Sequence, residues 1–64
     1  MTFQRGDLVW AWWIKEGMAC TGIAIVTEEE NQEAYIKIWV PKTNYSVLAH
    51  KNALHFMITT RQER

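Results

Sequence analysis

The run Arg5-Gly6-Asp7-Leu8-Val9-Trp10-Ala11-Trp12-Trp13-Ile14 limits what this chain can fold into more than any other stretch. It holds three of the 4 tryptophans and sits directly behind a Gly-Asp turn. In a strand, successive side chains point to opposite faces, so Val9, Ala11 and Trp13 share one side while Leu8, Trp10 and Trp12 share the other. A chain of 64 residues cannot bury both sets, because a domain of this size removes only about 60% of its unfolded surface from water. Val9, Ala11 and Trp13 are therefore expected in the core, and Leu8, Trp10 and Trp12 on a contact surface. The register matters, because a slip of one residue exchanges the two sets.

The remaining chain breaks into short pieces with strand character. Ala19–Thr27 is rich in β-branched residues, and Gly22 within it predicts a bend or bulge. Lys15-Glu16-Gly17-Met18 is expected to be a loop or irregular turn before it. Glu28 to Glu33 is polar and predicts an exposed hairpin tip. Tyr35–Val40 alternates most clearly: Ile36, Ile38 and Val40 face one way, and Tyr35, Lys37 and Trp39 the other. Pro41 has no N–H for a ladder and ends that strand. After a Lys42-Thr43-Asn44 turn, Tyr45–Ala49 is a fourth strand, His50–Ala53 a single 3₁₀ turn, and Leu54–Ile58 a fifth strand with Leu54, Phe56 and Ile58 inward. Phe3 is placed to cover one end, and residues 59–64 are expected to fray. No stretch keeps a 3.6-residue period over three turns. The expectation is one all-β domain, with a core of about residues 5–58: a small, strongly curved barrel of five strands with one 3₁₀ turn before the last.

Composition narrows function by exclusion. Formal charge is zero, from 7 basic and 7 acidic residues, so no net field gathers phosphates or anionic lipid. Cys20 has no second cysteine for a disulfide, which fits a reducing compartment. The N-terminus lacks a cationic, apolar leader, and no run approaches the length of a membrane span. A cytoplasmic protein without membrane contact is expected.

Gly6-Asp7-Leu8-Val9-Trp10-Ala11 followed by Gly22-Ile23-Ala24-Ile25-Val26 resembles the opening of SH3-like barrels, as in KOW and PWWP domains. Asn52-Ala53-Leu54-His55-Phe56 is similar to the 3₁₀ turn and last strand of that class. The PWWP pattern is not continued after Ala11, so a methyl-lysine cage is not implied. The layout also resembles small barrel proteins of tailed bacteriophages, including cyanophages, which implies a virion component or a phage-encoded modifier of a host complex, in the virion or the host cytoplasm.

No nucleophile–base pair or ligand set is evident, so no enzyme, cofactor or small-molecule substrate is expected. Cys20 in an Ala-Cys-Thr strand is ordinarily a small packed side chain. His50 and His55 lack further ligands for a metal. Consecutive carboxylates from Glu28 to Glu30 do not converge on a cation and are ordinarily a solvated loop. The leading expectation is a protein-binding or self-assembling module, with Leu8, Trp10, Trp12, Tyr35, Lys37 and Trp39 as its contact face and some of these rings side by side across strands. The second is nucleic-acid binding through Lys37, Lys42, Tyr45 and Lys51, where bases stack on rings and phosphates meet lysines.

Overall fold

Gly6 and Asp7 start the sheet by fixing a corner. Gly6 takes φ +96°, a conformation that side chains rarely adopt. Its N–H donates to Val26 O (2.7 Å), and Val26 N–H donates back to Asp7 O (2.9 Å). The buried Asp7 carboxylate accepts from Gln4 N–H at 2.9 Å and holds the lead-in against the corner. In the computed structural model, which describes residues 2–57, the chain then runs as β1 (Leu8–Lys15), β2 (Met18–Val26), β3 (Tyr35–Val40), β4 (Tyr45–His50), a 3₁₀ turn (Lys51–Ala53) and β5 (Leu54–Phe56). The strands form one antiparallel sheet in the order β4-β3-β2-β1-β5. The architecture is the all-β, five-stranded, curved one expected, with its single 3₁₀ turn before the last strand.

Strand parity decides the interior. Val9, Ala11 and Trp13 are buried, together with Ala24 and Val26 of β2, Ile36, Ile38 and Val40 of β3, Ala49 of β4 and Leu54 of β5. These are the inward positions in every ladder, so the core is the concave face of one rolled sheet. The roll brings β4 against β1, although no ladder joins them. Trp13 spans that junction: its indole N–H donates to the Tyr45 hydroxyl at 3.3 Å. Phe3 and Phe56 close one end as a stacked pair, with centroids 4.5 Å apart. Ile58 and the expected fray at 59–64 lie outside the described residues.

Three local expectations need correction. The β1–β2 ladder runs unbroken through Ala11↔Gly22, so Gly22 marks no bulge in that pairing. A Cβ there would meet the Trp13 ring at 3.8 Å, an ordinary van der Waals contact. The β1–β2 connection is a two-residue turn between Lys15 and Met18, with Glu16 at φ 53° and Gly17 at φ 81°. Two positive φ values match the right-handed twist of a tight hairpin, and Glu is an uncommon residue at the first of them. Finally, the acidic segment after β2 is fastened at Glu30. Its carboxylate accepts from Phe3 N–H (2.8 Å) and pairs with Lys51 Nζ (3.0 Å), while Glu30 N–H donates to Phe3 O (2.9 Å). This strap joins the lead-in, the acidic segment and the 3₁₀ turn; Glu28, Glu29 and Glu33 remain exposed.

Replacing Glu16 with Asn removes most of the left-handed penalty, so Glu16→Asn should raise unfolding free energy by about 0.5–1 kcal/mol, seen as a higher urea midpoint at unchanged slope. An unchanged or lowered midpoint would contradict this account of the turn. The Phe3 N–H and the Lys51 ammonium hold Glu30 below its ordinary value of 4.5. A carboxyl with a depressed folded pKa stabilises the fold above its unfolded value and loses that contribution as pH falls through the folded one. Wild type and Glu30→Gln should therefore differ in urea midpoint at neutral pH and converge as pH drops below 4.5; a difference that persists in acid removes the carboxylate from the explanation.

Candidate functional site

The sheet's outward face follows from the same parity that fills its core. Outward positions are Leu8, Trp10, Trp12 and Ile14 on β1, then Ile23 and Ile25 on β2, Tyr35, Lys37 and Trp39 on β3, Leu48 and His50 on β4, and His55 on β5. Trp10 and Trp12 are about half exposed, at 47% and 51%. Leu8, Ile14, Ile23, Tyr35 and Leu48 are exposed on the same face, whereas Met18, also exposed, stands opposite Lys15 with the parity of the inward residues. Two half-exposed indoles alone leave on the order of 200 Å² of aromatic surface. With five further large apolar side chains on this face, the patch exceeds the few hundred Å² that a monomer commonly shows.

The rings are not neighbours in the way the sequence suggests. β2 lies between β1 and β3, so Trp10 and Trp12 are not ladder neighbours of Tyr35 or Trp39. Trp10 pairs with Ile23 on one side and His55 on the other, and the row Leu8–Ile25–Trp39 crosses three strands next to it. Trp39 is half-buried: its indole N–H donates to Asn44 Oδ1 at 3.2 Å and braces the β3–β4 turn. Tyr35 stands four residues away along β3, roughly 13 Å, edge-on to His50 at 5.3 Å.

A second grouping arises where the rolled sheet brings β4 to β1. Trp12, Ile14, Tyr35, Leu48 and His50 line one cleft of about 260 Å³ at this seam. Ile14, Ile23, Leu48 and His50 were not among the expected contact residues. Alternation along β2 and β4 carries the signal for Ile23 and Leu48, but the seam pairs positions from non-adjacent strands, which no local pattern announces.

Lys37, Lys42, Tyr45 and Lys51 do not form one surface. Lys37 is outward on β3, and Lys42 is exposed in the β3–β4 turn. Tyr45 is half-buried against the core, under Lys15 Nζ at 4.9 Å from its ring centroid. Lys51 is held by Glu30 and by Asn31 O at 2.9 Å. Cys20 points inward against the core, its thiol 3.7 Å from Met18 O. Among the described residues no three His, Cys, Asp or Glu side chains are placed to hold a metal ion, and no helix is long and apolar enough to cross a membrane.

Compared with known proteins, the chain matches no family model, no curated protein and no solved structure.

Proposed function

We propose that this chain is a non-enzymatic protein-binding and assembly module that uses the outward face of its curved sheet. The observation that carries the reading is the set of large apolar side chains on that face that are 40–62% exposed, Trp10 and Trp12 among them. Tryptophan and tyrosine dominate the energetics of protein interfaces, because each desolvates a large rigid area at little conformational cost. The fold does not need these rings outward, since its core is complete on the concave side. The resemblance of the sequence's layout to small barrel proteins of tailed phages motivates a place in a virion or on a host complex modified by a phage.

The dispersal of Lys42, Tyr45 and Lys51 favours protein over nucleic acid. Cross-strand lysines on one face would track a phosphate backbone; here a turn, an inward ring and an ion pair take those positions.

The test uses the partner recovered from the native source. Trp10→Ser with Trp12→Ser should weaken its binding by roughly 30-fold or more, as loss of interface anchors worth about 2 kcal/mol does. Lys42→Ser should leave affinity unchanged, and added salt should have little effect. Both tryptophan substitutions lie outward, so the fold should persist. By contrast, Trp13→Ala should cost about 3–5 kcal/mol. Unchanged binding by a folded Trp10, Trp12 double variant, or affinity that falls steeply with salt, would discard the reading.

A further inference from the structure

We propose that the β1–β4 seam cleft is the socket for one large apolar side chain of a partner protein segment that carries a carboxylate beside it. The inference rests on the protein-binding reading above and names the partner's chemistry. The cleft of about 260 Å³ is smaller than sites that enclose a drug-sized ligand, about 300–1,000 Å³, and suits a single side chain. Trp12, Ile14, Tyr35 and Leu48 supply apolar walls. All four are exposed at the surface, so an entering group gains contact with each.

The rim gives the sign of the partner's charge. Lys37 is the direct cross-strand neighbour of Leu48 on the outward face, a placement that sets side chains about 5 Å apart at Cβ. His50 lines the cleft itself. Its Nδ1 accepts from Asn52 N–H at 3.1 Å, which leaves Nε2 as the donor in the neutral ring. No Asp or Glu occupies an outward strand position; Glu16 and Glu33 belong to the turn and the loop that flank the strands. An apolar socket with a lysine beside it and no carboxylate on the strands that form it is complementary to an apolar side chain next to an acid.

Other occupants fit less well. A second copy meeting this one face to face would present the same strand positions, which carry Lys37 and no carboxylate. β5 runs from Leu54 opposite Ala11 to Phe56 opposite Val9, which carries the described chain away from Ile14 and the seam.

The test is a titration of the full chain, followed by NMR, with three blocked tetrapeptides: Asp-Leu-Trp-Glu, Asn-Leu-Trp-Gln and Lys-Leu-Trp-Lys. The acidic peptide should shift the Trp12 indole N–H, the Leu48 methyls and the His50 ring. It should bind about two- to fivefold more tightly than the amide peptide, the range of an exposed ion pair, with the basic peptide weakest. Lys37→Glu should reverse that order while the core methyl signals of Val9 and Ile38 stay in place. Equal affinity for the three peptides, or no shift at the seam with any of them, overturns the inference. Shifts confined to Trp10, Ile23 and Trp39 remove the socket and leave the wider contact face standing. Binding to vesicles of phosphatidylcholine with phosphatidylglycerol, without a peptide response at the seam, overturns it in favour of lipid.

Discussion

Burial of the Trp13 indole is the interaction on which the rest of this structure depends. It is the largest side chain in the core, it stands on the first strand, and its N–H reaches the Tyr45 hydroxyl on the fourth. Two strands with no ladder between them are thereby joined through a side chain, which is how a linear five-stranded order encloses a core. Indole nitrogen is costly to bury without a partner, and the hydroxyl removes that cost. Among the described residues no buried side-chain nitrogen or oxygen lacks a hydrogen-bond partner.

With Trp13 fixed inward, strand parity leaves no freedom to the rest of β1. Val9 and Ala11 must follow it, and Leu8, Trp10, Trp12 and Ile14 must face out. The ladders transmit the choice to β2 and β5 directly and to β3 and β4 in turn. The contact face is therefore the necessary complement of the core. About half of each indole at positions 10 and 12 is buried against its neighbours, and the other half is left at the surface.

Much of this was legible in the residues because period-two alternation is a local signal. Ile36, Ile38 and Val40 are buried as their spacing implies, and the boundaries of β3 follow from Pro41. Features that depend on non-local geometry were not legible. The seam cleft joins Trp12 to Leu48 through the curl of the whole sheet, and no pattern within either strand encodes that meeting. Glu30 was indistinguishable from Glu28 and Glu29 in a run of like residues; its part in the strap depends on Phe3 and Lys51, which are distant in sequence. The turn at Glu16-Gly17 is placed by the sequence, but its tight two-residue form is not, for a different reason. Its first residue lacks the short polar side chain that normally accompanies a positive φ.

A formal charge of zero conceals a segregated molecule. The acidic residues from Glu28 to Glu33 lie together in the β2–β3 connection, where Lys51 neutralises one of them. The outward strand positions hold Lys37, two histidines and no carboxylate. Since like charges repel and desolvated ones must be paired, a partner that covers this face gains most when it brings acid of its own. In the proposed role the face would select by two independent criteria, apolar shape at the seam and the sign of charge beside it. A surface that tests both can reject an uncharged hydrophobic competitor that shape alone would admit.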